Sequence, residues 1–192
     1  MRRRSPGSSS SARRISLILV SGLLACGSGA GGKEGTRPAE ARANDVASID
    51  GIVAALYESI SGPAGPRDWD RLRSLFLPGA RLIPCRRPPG ADATEARVLS
   101  VEDFIKLVEP NTKDRGFFER EVHRRAERFG AVAHVFSTYE SRQAATDAQP
   151  FVRGINSIQL FFDGKRWWVV TIYWDSERPD QPIPPEYLPA KP

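Results

Sequence analysis

The strongest constraint on the fold is a β-hairpin predicted in residues 153–175, which read RGINSIQLFFDGKRWWVVTIYWD. An alternating apolar run ends at Asp163-Gly164, a dipeptide typical of tight hairpin turns, and a second apolar run follows. With a two-residue loop, Ile158 would face Val169 and Asn156 would face Thr171. Both faces of this ribbon carry large apolar side chains. We therefore expect it in the middle of a sheet that is covered on both sides.

The basic character of the chain is concentrated at its N-terminus. The formal net charge is +5, but residues 1–44 hold eight of the 28 basic groups and only two of the 23 acidic groups. The remainder then carries 20 basic and 21 acidic groups, a net charge of −1. A near-neutral folded part gives no support to a nucleic-acid partner, and none is predicted.

Residues 1–25 have the pattern of a secretory signal peptide, with an Arg-rich start, a Ser-rich stretch and an apolar run over residues 15–25. That run is too short for a membrane-spanning helix, which needs about 20 residues. It ends in Leu23-Leu24-Ala25-Cys26, which resembles the lipobox of bacterial lipoproteins. The resemblance implies cleavage before Cys26, lipidation of its sulfur and, because Gly27 is not aspartate, attachment to the outer membrane facing the periplasm. The alternative is an ordinary cleaved signal peptide with an incidental cysteine.

Composition divides the chain into four parts. After the signal peptide, residues 26–44 contain few large apolar side chains and are predicted to form a flexible tether. Residues 45–176 form the folded domain. Residues 177–192 are rich in proline, which predicts an extended tail that wraps the domain edge or hangs free.

Three helices are predicted in the first half of the domain. Residues 45–61 show an apolar stripe at helical spacing with Asn44 or Asp45 as the cap, and residues 68–76 form a shorter helix that Pro78-Gly79 stops. The third helix begins at Ser100 with a near-capping-box pattern and ends at Pro110. A short strand is expected at residues 80–84, between the second and third helices.

The period changes from helical to alternating at Phe117. Residues 117–128 and 131–142 are predicted to be strands joined near Phe129-Gly130, and the hairpin of residues 153–175 follows. Helices that precede a four-strand antiparallel meander indicate an α+β fold.

Two segments resemble the NTF2-like superfamily, particularly its SnoaL-like branch. The segment RDWDRLRSLFLPGARL at residues 67–82 is similar to that family's passage from second helix to first strand, and DGKRWWVV at residues 163–170 is similar to its last hairpin. The resemblance implies a cone-shaped half-barrel, in which three N-terminal helices pack on a curved antiparallel sheet around a pocket. Family members include isomerases, dehydratases and cyclases, so the fold alone settles no activity.

The first predicted hairpin, residues 117–142, offers two alternative pocket faces. One face carries the candidate acid–base pair His123 and His134, flanked by glutamates. The other is more apolar and carries Arg120, Arg124, Ser137 and Tyr139. We expect the apolar face to meet the helices, although a one-residue bulge would reverse the assignment.

The candidate ligand-binding residues are polar or aromatic groups of the predicted sheet. They are Arg120, Ser137, Tyr139, Asn156, Gln159 and Trp174. No cofactor and no metal site is predicted, since the two cysteines have no zinc-type spacing. The arginines next to Cys85 favour a lowered pKa of its thiol.

The sequence supports two functional hypotheses. The favoured one is a membrane-tethered, non-catalytic module that binds a small apolar or amphipathic ligand or a protein partner, with homodimerisation through the outer face of the sheet. The alternative is a SnoaL-like isomerase, dehydratase or hydrolase that uses Tyr139 with His123 or His134 in the pocket.

The lipid anchor can be tested in cells. Metabolic labelling with a palmitate analogue should mark the wild-type protein, and Cys26→Ala should abolish the label because the acceptor sulfur is gone. Persistent labelling of Cys26→Ala would show that the lipid is attached elsewhere.

Overall fold

The structure is a computed structural model that describes residues 40–190 of the 192. The predicted signal peptide, Cys26 and all of the predicted tether before residue 40 lie outside the described residues. In the described part, no helix is long and apolar enough to cross a membrane.

Within residues 40–190, four α-helices precede the meander. Helix α1 spans Ala43–Val46, α2 spans Ile49–Ile60, α3 spans Trp69–Leu75 and α4 spans Val101–Asp114. The single helix predicted for residues 45–61 was wrong. Ser48 interrupts it with extended backbone and caps α2, its side chain accepting from the Gly51 N–H at 2.9 Å.

The start of α4 confirms the capping box, because Ser100 and Asp103 bond each other's backbone N–H groups. Its predicted end was wrong, since the helix continues past Pro110 to Asp114. Proline removes one helical hydrogen bond, but it does not prevent the next turn from forming.

Six strands form one sheet in the order β2-β1-β6-β5-β4-β3. They are β1 (Phe76–Arg86), β2 (Glu95–Ala96), β3 (Phe118–Phe129), β4 (Val132–Arg142), β5 (Val152–Phe162) and β6 (Trp167–Ser176). Strands β5 and β6 lie in the centre, as predicted for the apolar hairpin. Strand β1 is longer than predicted and pairs parallel with β6, while the other pairs are antiparallel.

The turn of the central hairpin differs from the predicted one. Phe162 pairs with Trp167, so the loop has four residues, Asp163–Arg166, rather than two. The Asp163 carboxylate accepts from the backbone N–H groups of Lys165 and Arg166, each at 2.8 Å, which stabilises the longer loop. The longer loop shifts the register by two positions, and a β-bulge at Val170, between the pairs Leu160–Val169 and Gln159–Thr171, shifts it by one more, so Asn156 pairs with Trp174 and Ile158 with Ile172 instead of Thr171 and Val169.

Strand β3 contains a β-bulge at Val122. Glu121 pairs with Tyr139 and His123 pairs with Thr138, which leaves Val122 without a partner. Beyond the bulge Arg124 and Ala126 share the inner face with Ser137 and Val135, as the more apolar set predicted. Before it the faces are exchanged, so Glu119 and Glu121 point inward in place of Phe118 and Arg120.

The core lies between the helices and the inner face of the sheet. Its largest fully buried apolar side chains come from α2, α3 and three strands: Ile52, Val53, Leu72, Leu75, Val135, Ile158, Leu160 and Val169.

The proline-rich tail packs on the outer face of the sheet. Ile183 is buried, and the Thr138 hydroxyl donates to the backbone oxygen of Tyr187 at 2.6 Å. The Tyr187 ring stacks edge-on against Phe136 and lies under the Arg125 guanidinium. A second copy approaching this face would meet the tail as well as the sheet.

Candidate functional site

A cavity of about 440 Å³ lies between the helices and the inner face of the sheet. Helices α2, α3 and α4 form one wall, the central strands form the other, and the residues after α4 close one side. The aromatic lining residues are Tyr57, Trp69, Phe104, Phe117, Tyr139, Phe151 and Trp174, and the aliphatic ones include Leu56, Ile60, Leu72, Val108, Ile158 and Ile172.

The polar groups of the cavity come from two places. Asn111, Thr112, Arg115 and Gln143 belong to the end of α4 and to the loop after β4. Glu119, Tyr57, Tyr139 and Asn156 stand on the strands and on α2. The cavity is therefore mainly apolar, with a few polar groups that can orient a ligand.

Glu119 is held in place through its backbone. The side-chain oxygen of Ser61, at the end of α2, accepts from the Glu119 N–H at 2.9 Å and donates to its carbonyl at 3.1 Å. The adjacent bridge between Gly62 and Phe117 joins the same two segments. The end of α2 thus fixes the first residues of β3, and the bulge at Val122 turns the Glu119 side chain inward.

The Glu119 carboxyl has an unusual environment for an acidic group. Ser141 donates to its Oε2 atom at 2.7 Å, and the side chain lines the apolar cavity. Burial raises the pKa of Glu119 to about 7, and the nearby Ser141 and Asn156 side chains limit that rise. Glu119 is therefore poised to gain or lose a proton near neutral pH.

Tyr57 belongs to a chain of hydrogen bonds that runs from the cavity to the surface. Its hydroxyl lies 2.7 Å from the Ser137 hydroxyl, which donates to Glu121. Arg124 holds the Glu121 carboxylate, with 2.8 Å between Nε and Oε1. Since the Ser137 proton is directed to Glu121, Ser137 must accept from Tyr57.

The same chain fixes the amide of Asn156. Its Nδ2 atom donates to the Tyr57 hydroxyl at 3.1 Å, and its amide also favours the ionised form of Glu119. Burial raises the pKa of Tyr57, so this phenol stays neutral at physiological pH.

Tyr139 lies against a glycine of the neighbouring strand. A Cβ atom on Gly154 would come within 2.5 Å of the Tyr139 hydroxyl oxygen and 2.3 Å of the Asp175 carbonyl, so only glycine leaves room for this ring. The Tyr139 hydroxyl is 3.1 Å from the Ser176 hydroxyl. Burial raises the pKa of Tyr139 to about 12, and the Glu119 charge adds to the rise.

Four of the sequence-predicted residues lie at or next to the cavity. Tyr139, Asn156 and Trp174 line it, and Ser137 is fully buried behind Tyr57. Arg120 instead lies on the outer side of β3 and pairs with Glu140 at 3.3 Å. Gln159 lies on the outer face, opposite His134.

Neither histidine lines the cavity. The Nε2 atom of His134 is 3.0 Å from the Ser157 hydroxyl on the outer face of the sheet. His123 follows the bulge, and its buried Nε2 atom has no hydrogen-bond partner among the described residues.

The described residues contain no group of three or more His, Cys, Asp or Glu that could hold a metal ion. At Cys85, burial and the nearby Asp175 carboxylate raise the pKa of the thiol. The expected effect of the neighbouring arginines was therefore wrong in direction.

Sequence reasoning missed Glu119 and Tyr57 as cavity residues. Glu119 was assigned to the outer face because strict alternation was extended through Val122, and no glycine or proline marks the bulge there. Tyr57 lies next to Leu56 on the apolar side of α2. The helical stripe of aliphatic residues in this segment gives no reason to single out a tyrosine.

Replacing Glu119 should change how stability depends on pH. A carboxyl whose pKa is raised in the folded protein stabilises it below about pH 4.5, and this contribution is lost as the pH rises toward about 7. Glu119→Gln removes that loss. Denaturant unfolding should therefore show the variant gaining about 2 kcal/mol over wild type between pH 5 and pH 8.

The control is Glu127→Gln, an exposed carboxylate on the same strand. Its stability should follow the wild-type pH dependence. Parallel curves for Glu119→Gln and wild type would contradict the raised pKa.

Comparison with known proteins identifies the fold alone. No family model and no curated protein matches the chain. The structure is similar to that of LinA, at 10% sequence identity and a TM-score of 0.51, over 76% of this chain and 93% of that one.

Two further similar structures are more distant. An NTF2-like protein of unknown function from Silicibacter pomeroyi has 15% identity and a TM-score of 0.46, over 68% of this chain and 94% of that one. A candidate ketosteroid isomerase from Parabacteroides distasonis has 9% identity and a TM-score of 0.46, over 69% and 90%. The helices, the curved open sheet and the cavity between them give this chain the cone-shaped α+β fold of NTF2-like proteins.

Proposed function

We propose that the protein binds a small apolar or amphipathic molecule in the cavity between α2, α3, α4 and the sheet. The observation that carries this proposal is the cavity itself. Its volume of about 440 Å³ falls within the range of small-molecule sites, and most of its lining is aromatic or aliphatic.

The polar groups suit a ligand with one polar end. Glu119, Asn156 and two neutral phenols, Tyr57 and Tyr139, belong to the same lining as a continuous apolar surface. Burying the apolar body of a ligand supplies affinity at about 25 cal/mol per Å² removed from water, and the polar groups select its orientation.

A membrane tether through lipidated Cys26 is part of the same proposal. It is supported by the lipobox-like residues 23–26 and by the basic N-terminal segment. It would keep the binding domain in the bacterial cell envelope, near the lipids that hold small apolar molecules.

Blocking the mouth of the cavity should abolish binding. Asn111 is exposed, lies in the last turn of α4 and lines the cavity, so Asn111→Trp places an indole at its opening. A neutral polycyclic fluorophore that brightens in apolar surroundings should bind the purified wild-type protein and bind the variant at least about tenfold more weakly.

Lys113→Trp is the matched control, because Lys113 is exposed on the same turn and does not line the cavity. It should bind like wild type. Equal binding by Asn111→Trp and wild type would show that the fluorophore occupies another surface.

A second candidate function, an isomerase or dehydratase, is favoured by one observation. Glu119 lies in an apolar cavity with a pKa raised by burial to about 7, the range in which a carboxylate is an effective general base. In this hypothesis Glu119 takes a proton from the carbon next to a ketone and returns it to another carbon. The neutral Tyr139 hydroxyl donates to the ketone oxygen as it gains charge. Glu119 thus replaces His123 and His134 in the sequence-derived alternative.

Exchange of ketone α-protons for deuterium, followed by NMR, tests this function on simple and hydroxylated ketones. The wild-type rate should rise as Glu119 ionises near pH 7, and Glu119→Gln should slow exchange at least about a hundredfold because the base is gone. Exchange that Glu119→Gln leaves unchanged would exclude Glu119 as the base.

A further inference from the structure

We propose that the ligand of the cavity carries a cationic amine on an apolar body and that this ammonium group pairs with Glu119. The inference rests on the proposed binding function and specifies the chemical class of its ligand.

Glu119 differs from other carboxylates of the domain interior in lacking a cationic partner. Asp45 pairs with Arg71 at 2.7 Å, Glu121 with Arg124 at 2.7 Å, and Asp175 with Arg178 at 2.7 Å. Among the described residues, no Lys or Arg lies within salt-bridge distance of Glu119. A partly buried carboxylate without a counter-charge is costly, and an ammonium ion in the cavity would supply that charge.

One oxygen of Glu119 is available for such a pair. Ser141 donates to Oε2, whereas Oε1 accepts no hydrogen bond of ordinary geometry from the described residues. Oε1 is not fully buried, so it is accessible to solvent or to a ligand. An ammonium group has three donors and needs acceptors of this kind.

The surrounding lining also suits a cation. Tyr57 and Tyr139 lie close enough to Glu119 for its charge to raise both of their pKa values. Trp174, Phe117 and Phe151 add further aromatic rings to the same cavity. The faces of aromatic rings attract an ammonium ion, most strongly when it is shielded from water.

Arg115 is the other charged side chain among the lining residues. By itself it would favour an anionic ligand. It is exposed at the end of α4, where water screens its charge. Glu119 is less exposed and lies beside the apolar wall, so its charge acts more strongly on a bound ligand.

Three matched probes separate these possibilities: naphthylmethylamine, the neutral naphthylmethanol and the anionic naphthoic acid. Their affinities can be measured by calorimetry or by quenching of tryptophan fluorescence, since Trp69 and Trp174 line the cavity. At pH 8 the amine should bind at least about tenfold more tightly than the alcohol.

The preference should depend on Glu119. In Glu119→Gln the amine should lose its advantage while the affinity of the alcohol changes less than about twofold. Glu127→Gln, the exposed carboxylate of the same strand, should retain the full preference for the amine.

The pH dependence provides a readout without any variant. The other titratable groups near the ligand are Tyr57 and Tyr139, whose pKa values burial raises so that both stay neutral between pH 6 and pH 8, the exposed Arg115, and Glu121, which pairs with Arg124. With Glu119 ionising near pH 7, its ionised fraction rises about tenfold from pH 6 to pH 8, so amine affinity should rise by up to that factor while alcohol affinity stays constant.

Equal binding of amine and alcohol, or tighter binding of the acid, would overturn the inference while leaving the cavity as a binding site. Failure of all three probes would overturn the binding function and this inference together. The neutral alcohol therefore tells the two failures apart.

Discussion

The site depends on one unpaired residue in strand β3. Val122 has no partner in β4, and this one-residue insertion turns Glu119 and Glu121 toward the helices while leaving Arg124 and Ala126 on the same inner face. Without it, Phe118 and Arg120 would point inward and the cavity would have no carboxyl group. The backbone pairing thus decides the charge of the cavity before any side-chain contact does.

The two inward glutamates have different environments although they are two residues apart. Glu121 pairs with Arg124 and accepts a hydrogen bond from Ser137, so its carboxylate orients its neighbours. That orientation passes through Tyr57 to the amide of Asn156. Glu119 has Ser141 and Asn156 but no arginine, and burial raises its pKa to about 7. An ordered polar chain therefore surrounds one carboxyl group that is free to titrate.

The sequence was sufficient for the architecture because the architecture follows from apolar periodicity. The helical stripe of Ile52, Val53 and Leu56, and the alternating residues of the central hairpin, place these side chains in the core whatever the details of the turns. Resemblance to NTF2-like proteins added the arrangement of helices around a pocket, and the structure has that arrangement.

Turns and bulges were harder to predict, and the candidate site depends on both. The side chain of Asp163 closes a four-residue loop where the Asp163-Gly164 pattern indicated two residues, and this shifts the partners of Asn156. The bulge at Val122 exchanges two residues between faces. The loop is closed by the side chain of Asp163 itself, whereas the start of β3 is held by Ser61, which is distant in sequence, and the apolar pattern reveals neither contact.

The proline inside α4 makes one wall of the cavity less firmly held by backbone hydrogen bonds than the other. Pro110 has no N–H to give to the preceding turn, so the last turn of the helix, which carries Asn111 and Thr112 at the cavity wall, is held by fewer backbone bonds than the rest. The opposite wall is a sheet in which β5 pairs with β4 on one side and with β6 on the other. In the proposed binding function, this end of α4 would influence the rates of ligand entry and exit more than the sheet does, so residence time and affinity would depend in part on different residues.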